Sequence, residues 1–252
     1  MRRRFTDGVL TDVPKLLLTA IVLLGCAVAS AADLTPHEAK YRVKISILGG
    51  DLNTRLVASD SGYAANHVIR PTGLSKLAAS GKIDETSEFG ISNDRVVPVD
   101  YRSVDELTRD KTSADVVFDW ENERLDGSIN GQPADFDIED GMLDRVSIQY
   151  QLMRDLKRGE LREQYLLFDI DEVKVLNVSN AGEREVKTPA GRFNVVGIRH
   201  QAEGSSRTTT LWCAEELDFL PVIIEQHRKG KLRLRAKLEN YTALNARTDQ
   251  SR

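Results

Sequence analysis

The sequence predicts a mainly β protein, a single domain of mostly antiparallel sheet with one main helix laid against it and a short second helix. Three observations support this fold class. Apolar and polar residues alternate with a period of two along much of the chain, turn motifs separate the alternating stretches, and only two stretches have helical spacing.

Residues 231–241, KLRLRAKLENY, show the alternation most clearly. Leu232, Leu234 and Leu238 point to one side of a strand and basic side chains to the other, as expected for a strand with one buried face. A solvated sheet face explains the basic row; a surface for anionic lipid or phosphate is the alternative.

Similar patterns predict strands at residues 39–47, 54–59, 64–70, 115–120, 163–170, 173–178, 192–200, 207–213 and 221–227. The predicted turns are LGGD at 48–51, NERLDG at 122–127, INGQP at 129–133 and TPAG at 188–191.

Two segments are predicted to be helical. The short one lies near LSKLAA, residues 74–79, and the main one covers residues 144–157. Asp144 is the predicted N-cap of the main helix and Gly159 ends it. Its predicted apolar face consists of Ile148, Leu152, Met153 and Leu156.

The stretch TLWCAEELDFLP, residues 210–221, combines a cysteine with a cluster of acidic residues. We interpret it as a strand end, a turn and the start of the next strand. Pro221 would be the first residue of that strand, where the missing N–H donor of proline disturbs the sheet least. Trp212 is expected to pack on the core and Cys213 to lie on the opposite face. Because acidic neighbours in the turn raise the pKa of a thiol, Cys213 is predicted to be unreactive.

The N-terminus has the layout of a secretory signal peptide, predicted over residues 1–31. Basic residues precede an apolar run over residues 16–28, and Ala29, Ser30 and Ala31 form a small-residue cleavage site before Ala32. The run is too short for a membrane span, which needs roughly 20 residues. The pattern predicts a periplasmic protein with a β-rich domain over residues 32–242 and a polar, disordered tail over 243–252.

A second interpretation of the N-terminus remains open. LLGC, ending at Cys26, resembles the lipobox of bacterial lipoproteins, which would anchor the chain in the outer membrane through Cys26. In both cases the chain is exported. Since Cys26 is then removed or acylated, Cys213 has no partner for an intrachain disulfide, and a chain of this length does not require one.

Composition excludes some partners. The formal net charge of the chain is −4, and loss of the basic N-terminal segment makes it more negative. This balance and the predicted compartment argue against a nucleic-acid partner. The sequence has no Gly-rich phosphate loop, dinucleotide fingerprint or nucleophile-elbow motif, so no cofactor is expected.

Candidate metal and acid–base residues are few. His37, His67, His200 and His227 occur singly, without metal-ligand spacing. DFDIEDG, residues 135–141, resembles a calcium loop, but the sixth and twelfth positions do not fit, so we interpret it as an exposed polar alternation. Asp169 and Asp171 are predicted to share one strand face, which could serve acid–base chemistry but is better explained as a wet face. No catalytic, cofactor or metal residue is therefore predicted.

Several segments together resemble the bacterial domain of unknown function 3108 family. These are TPAGRFNVV at 188–196, TTTLWCAEELDFLPVIIEQHRKGKL at 208–232, VFDWENERL at 117–125 and LDRVSIQYQLMRDLKRG at 143–159. Members look like exported envelope proteins of no established activity. The resemblance implies a strongly curved sheet, a half-barrel or β-spiral, similar to periplasmic carriers of lipidic cargo. Cys213 stands where that family usually has a small or apolar residue.

Two functions follow as hypotheses. In the first, the protein is not an enzyme, and the sheet forms a trough that binds a lipid or another hydrophobic or envelope-derived ligand. In the second, it is a structural factor or binds an envelope protein partner, and the sheet face is fully packed. The two differ in whether the apolar face leaves a cavity of several hundred Å³ open to a ligand.

Overall fold

One meandering sheet contains most of the residues that this computed structural model describes, which are 34–45, 48–78 and 80–245. Within these ranges there are fifteen strands and two α-helices. The strands are β1 His37–Ile45, β2 Leu48–Ser59, β3 Gly62–Thr72, β4 Ile83–Ser92, β5 Arg95–Asp105, β6 Thr112–Asp119, β7 Arg124–Ile129, β8 Gln132–Pro133, β9 Met142–Leu143, β10 Gln164–Phe168, β11 Val173–Thr188, β12 Gly191–Ala202, β13 Arg207–Ala214, β14 Leu220–Arg228 and β15 Lys231–Ala243. The helices are α1 Ser75–Ala78 and α2 Ser147–Arg158.

The strand order is β8-β7-β6-β5-β4-β3-β2-β1-β15-β14-β13-β12-β11-β10-β9. Each neighbour in this order pairs antiparallel except β9, which lies parallel to β10. Pairing of β1 with β15 joins the two halves of the meander, with Tyr41 opposite Leu238 and Ile45 opposite Leu234. The predicted fold class, a mainly β antiparallel sheet with one main and one short helix, is confirmed.

Helix α2 lies on the inner face of the sheet. Tyr150 is fully buried and stacks on Phe89 of β4 with ring centroids 5.3 Å apart. The side-chain carbonyl of Gln151 accepts a hydrogen bond from the backbone N–H of Val96 in β5 at 2.7 Å. The helix buries polar side chains as well as apolar ones. The reason is that the sheet covers a wider part of the helix surface than the predicted apolar stripe. Of that stripe, Leu152 and Met153 are buried, while Ile148 and Leu156 are half-buried.

Asp144 caps α2 as predicted, although the helix begins at Ser147. Its Oδ1 accepts hydrogen bonds from the backbone N–H groups of Val146 and Ser147, both at 2.8 Å. The Ser147 hydroxyl oxygen accepts one from the Asp144 backbone N–H at 2.9 Å, which completes a reciprocal cap. At the other end Gly159 adopts a left-handed conformation with φ 70° and closes the helix.

Strands β4 and β5 were missed by the pattern analysis. On β4 the inward positions include Glu85 and Ser87, which are polar but buried, so the strand does not alternate in hydrophobicity. On β5, Pro98 interrupts the strand pattern, and it lies opposite Phe89 at a register shift where a missing donor is tolerated.

Two predicted turns are strands instead. LGGD begins β2, where Gly50 is required because a Cβ there would approach the carbonyl oxygen of Arg70 to 2.9 Å. In NERLDG the last four residues belong to β7, and a Cβ on Gly127 would lie 2.1 Å from the carbonyl oxygen of Asp115. Both glycines therefore permit close strand approach rather than a turn. Turns at Asn130–Gly131 and at residues 189–190 agree with the prediction.

The chain ends fall partly outside the described residues. Ala243 is the last residue of β15, and the backbone N–H of Leu244 donates to the carbonyl oxygen of Pro36 at 2.8 Å. The predicted signal peptide, with Cys26, Ala31 and Ala32, lies outside the described residues, as does most of the predicted tail. Within the described part of the chain, no helix has the length and apolar character needed to cross a bilayer.

Candidate functional site

A cleft of about 1180 Å³ separates α2 from the sheet strands that face it. The helix contributes one wall and the strands from β10 to β14 contribute the other, while Glu85 of β4, Asp105 of β5 and Thr112 of β6 line one side. The apolar part of the cleft lining consists of Ile148, Leu152, Leu167, Val173, Val175, Leu176, Ala202, Leu211 and Ile224. The rest of the lining is polar or charged and includes the acidic residues Asp105, Asp110, Glu172 and Glu203. Since α2 also packs on β4 and β5, the sheet curves around the helix and leaves this side open.

The cleft wall formed by β13 and β14 changes from apolar to charged residues along the two strands. Three directly opposed pairs line the cleft in succession: Leu211 with Ile224, Thr209 with Gln226, and Arg207 with Arg228. Alternation with period two brings all six side chains to one face of the hairpin. The wall is therefore apolar where it is deepest and cationic at the mouth.

An ionic network closes the cleft near the start of α2. Arg145 Nε lies 3.1 Å from Glu85 Oε1 and 3.6 Å from Asp169 Oδ1. Glu85 Oε1 also accepts a hydrogen bond from the Tyr101 hydroxyl at 3.0 Å. Lys174 is paired with Asp169 and lies 2.7 Å from Glu172. The carboxylates thus neutralise Arg145 and Lys174, which leaves these cations little capacity for a ligand.

Arg207 and Arg228 differ from the cations of that network. Both are exposed, lie directly opposite each other at the cleft mouth, and form no ion pair of 4.0 Å or less with another described residue. Like charges in directly opposed cross-strand positions repel each other. An anionic group bound between them would remove that repulsion, because a guanidinium binds carboxylate or phosphate in bidentate geometry.

The histidines are brought together in a way that sequence spacing did not reveal. His37 and His67 both flank Tyr150, with ring centroids 6.4 Å and 6.1 Å from it. Burial, reinforced by His37, lowers the pKa of His67 to about 4, and burial also lowers the pKa of His37. His37 is buried and His67 is half-buried, and neither ring lines the cleft. Their convergence depends on β1, β3 and α2 meeting, for which the sequence carries no local signal.

His200 does line the cleft, beside the β12–β13 turn. Burial lowers its pKa to about 4, so the ring is neutral near pH 7. Among the described residues no group of three or more His, Cys, Asp or Glu side chains has the arrangement of a metal site.

Cys213 is buried in the core and lies outside the cleft lining. The pKa of its thiol is raised as predicted, but the cause is burial and not the acidic residues of the following turn. Trp212 lies over Gly197 and its indole N–H donates to Glu225 at 3.2 Å, while the Arg184 guanidinium stacks 3.5 Å from its ring. The side chain is nevertheless mostly buried, as predicted.

The prediction that Asp169 and Asp171 share one strand face is wrong. Strand β10 ends at Phe168, and Ile170 has a left-handed backbone with φ 64°, so Asp169 and Asp171 belong to a turn and do not share a strand face. Asp169 pairs with Lys174, whereas Asp171 is exposed. In the calcium-loop-like stretch, Phe136 and Ile138 point inward while Asp135, Asp137 and Glu139 are exposed, in agreement with a polar alternation.

Comparison with known families decides the relationship of the chain. The family model described as protein of unknown function (DUF3108) matches residues 38–236, which include every cleft residue named above. The chain belongs to this family. The match confirms the resemblance noted from sequence segments. No match was found among curated proteins.

Two solved structures are similar to this member of the DUF3108 family. A beta-barrel-like protein of domain of unknown function DUF1849 from Brucella abortus aligns with a TM-score of 0.57 and 16% identity, covering 85% of this chain and 100% of that chain. A protein from Bacteroides fragilis described as having a YmcC-like fold gives a TM-score of 0.37 and 14% identity, over 84% of this chain and 100% of its own. The first likeness supports the fold alone, and the second is too distant to support an inference.

Proposed function

We propose that the protein binds an elongated amphipathic ligand, with an apolar chain in the cleft and an anionic head group between Arg207 and Arg228. The observation that carries the proposal is the cleft of about 1180 Å³, in which a group of apolar side chains forms part of a mixed lining and two arginines without ion pairs among the described residues lie opposite each other at the mouth. This volume exceeds the several hundred Å³ of a typical small-molecule pocket and is sufficient for a long-chain lipid.

Burial along β15, beside the cleft, argues against a fully packed sheet face. Leu238 is fully buried, Leu234 is half-buried and Leu232 is 42% exposed. The apolar row therefore emerges from the core toward the open end of the sheet. A structural factor with a fully packed sheet would be expected to cover such residues with its own side chains.

The chemistry of the lining favours binding without turnover. The carboxylates of Glu85 and Asp169 form ion pairs with Arg145. The carboxylate of Asp105 accepts hydrogen bonds from the backbone N–H groups of Leu107 and Thr108 and from the Thr108 hydroxyl. Cys213, the one nucleophilic thiol in the described chain, is outside the cleft. We infer a carrier or sensor of a hydrophobic envelope ligand rather than an enzyme.

The compartment is part of the proposal. The N-terminal pattern supports export to the periplasm with cleavage between Ala31 and Ala32, and anchoring at Cys26 is the alternative. The mass of the N-terminal peptide from the exported protein distinguishes the two. A free N-terminus at Ala32 supports cleavage, an acylated Cys26 supports anchoring, and an intact Met1 contradicts export.

A fluorescent fatty acid tests the binding site directly. Titration with a linear conjugated fatty acid should show saturable binding to the wild-type protein. Ile224→Glu places a charge on the apolar wall and should weaken binding at least about tenfold, because an unpaired charge in an apolar site is unfavourable. Val117→Glu makes the same change at an exposed strand position outside the cleft and is the matched control.

The head-group assignment needs its own variants. Arg207→Glu and Arg228→Glu should each weaken fatty-acid binding about tenfold and weaken binding of the corresponding uncharged alcohol less. Arg199→Glu, exposed on β12 and not part of the cleft, should leave both affinities unchanged. If the arginine variants lost the same affinity for the fatty acid and for the alcohol, the proposed head-group site would be contradicted.

A further inference from the structure

One end of the sheet carries most of the large apolar side chains that are exposed in the described chain. These residues, which we call the apolar rim, are Ile45 (45% exposed), Leu48 (39%), Leu74 (84%), Leu77 (87%) and Leu232 (42%). The other exposed large apolar residues, Val99, Val104 and Val117, are valines scattered on β5 and β6. Scattered apolar residues are ordinary on protein surfaces, whereas a cluster indicates a contact site.

Strand pairing and one hydrogen bond bring the rim together. Ile45 lies opposite Leu48 on one side and opposite Leu234 on the other, and Leu232 is two residues from Leu234 on β15. The backbone N–H of Gly49, next to Leu48, donates to the Ser75 hydroxyl oxygen at 2.7 Å. This bond fixes α1, with Leu74 just before it and Leu77 within it, beside the start of β2.

Exposed cations adjoin the rim residues along the chain. Lys44, Lys76, Lys229, Lys231 and Arg233 are all exposed and form no ion pair of 4.0 Å or less within the described chain. Lys76 lies between the two most exposed leucines, and the other cations belong to β1 and to the hairpin of β14 and β15. Residues 226–238 contain no acidic residue. Apolar tips flanked by unpaired cations are complementary to the surface of an anionic bilayer.

The rim and the cleft mouth lie at the same end of the sheet. Arg228 at the mouth immediately precedes Lys229, and Gln226 of the cleft wall lies opposite Leu234. A surface that contacted the rim would therefore face the mouth. This relation follows from strand pairing alone and holds whatever the cleft binds.

We propose that the apolar rim docks the protein on an anionic bilayer surface, with Leu74 and Leu77 inserted at the level of the acyl chains and the neighbouring lysines in contact with lipid phosphates. A short α1 projecting two leucines forms a narrow tip, which suits insertion among lipids better than the broad, flat contact that a protein interface needs. Contact through few residues makes the docking reversible, as expected of a protein that collects or delivers a ligand at the membrane.

The test uses protein produced from the full sequence and purified in the form that cells retain. Co-sedimentation with phosphatidylcholine vesicles containing phosphatidylglycerol should exceed that with phosphatidylcholine alone, and high salt should reduce the difference. Leu74→Ser/Leu77→Ser should reduce partitioning at least about fivefold, because both inserted side chains are lost. Val99→Ser/Val117→Ser removes two exposed apolar residues elsewhere and should have no effect.

An N-terminal lipid anchor would by itself make the protein sediment with vesicles. A tryptophan placed in the rim reports contact of the rim with lipid in that case too. In vesicles with brominated acyl chains, Leu77→Trp should show additional fluorescence quenching, while Val117→Trp should not; Trp120 and Trp212 contribute the same background to both. Lys229→Glu/Lys231→Glu should weaken binding to anionic vesicles, with Lys187→Glu as the exposed control. Ile224→Glu should bind vesicles normally, which separates docking from the cleft proposal.

Two results would overturn the docking proposal. One is equal quenching of Trp at positions 77 and 117 in anionic vesicles. The other is a change in oligomeric mass on Leu74→Ser/Leu77→Ser without any change in vesicle binding, since this would assign the rim to a protein interface.

Discussion

His67 illustrates how burial sets the chemistry of a side chain in this core. Its ring contacts Tyr150, with 3.4 Å between Nε2 and the hydroxyl oxygen, and His37 lies close by. Burial and the neighbouring His37 lower the pKa of His67 to about 4, against 6.5 for an unburied ring. The folded state therefore holds fewer protons on this ring than the unfolded state between pH 6.5 and 4.

We predict that acid destabilises the protein through this ring. Stability contributed by neutral His67 is complete above pH 6.5 and is lost as the pH falls toward 4, by at most about 3 kcal/mol. His67→Asn cannot ionise, so its free energy of unfolding should fall less over this range than that of the wild type. Urea denaturation at pH 7 and pH 4.5 measures the difference, and parallel pH profiles would refute the assignment.

Cys213 is expected to be chemically inert in the folded protein. Its burial excludes reagents and raises the pKa of the thiol, so little thiolate forms at neutral pH. A thiol-specific chromogenic reagent should react with the unfolded protein at least about a hundredfold faster than with the folded protein. Rapid reaction under native conditions would mean that the thiol is accessible and that its dismissal as a reactive site is wrong.

At the scale of elements, the start of α2 depends on Asp144. Its carboxylate is buried, accepts from two backbone N–H groups and also from the Ser87 hydroxyl at 2.6 Å. We predict that Asp144→Ala destabilises the protein by about 2–4 kcal/mol, because a cap is lost and buried donors are left without partners. Chemical denaturation of the variant measures this loss.

Asp144→Asn is the matched control for the cap. Its amide oxygen can still accept from the N-terminal N–H groups, so it should lose less stability than Asp144→Ala. Burial raises the pKa of Asp144 to about 6, against 3.8 normally, so the wild type loses stability as the pH rises from 4 to 6. The Asn variant lacks this loss, so its free energy of unfolding should rise relative to that of the wild type between pH 4 and 6. Equal destabilisation by Ala and Asn would contradict the capping role.

Elements with a clean alternation could be predicted from sequence, and those with buried polar groups could not. Strand β15 follows from its period-two pattern, whereas β4 has no such pattern because Glu85 is buried against distant partners, Tyr101 and Arg145. The same limit applies to Gly50, whose role depends on the position of Arg70 on another strand. Local patterns contain no information about such long-range contacts.

The candidate site shows this limit more strongly. An apolar trough was expected from Leu232, Leu234 and Leu238, but the cleft lies mainly against α2 and the strands β10–β14. The opposed arginines Arg207 and Arg228 are 21 positions apart by number and meet only through the β13–β14 register. Sequence inspection could suggest a trough, while its walls and its cationic mouth required the three-dimensional pairing.

For the whole molecule, the proposed ligand binding and the proposed membrane docking together imply that the ligand would enter beside the apolar rim. Membership of a family of unknown function adds no activity, so the cargo must be identified by experiment. The cleft is large enough that the protein is expected to retain a lipid during purification.

Native mass spectrometry of protein purified from its own compartment tests the central claim most directly. We expect a wild-type population heavier than the polypeptide by the mass of an anionic lipid that organic extraction releases. This population should be lost in Ile224→Glu and kept in Val117→Glu. Wild-type protein that carries no ligand, together with a large fall in melting temperature for Ile224→Glu, would show that the face is packed and would contradict the carrier.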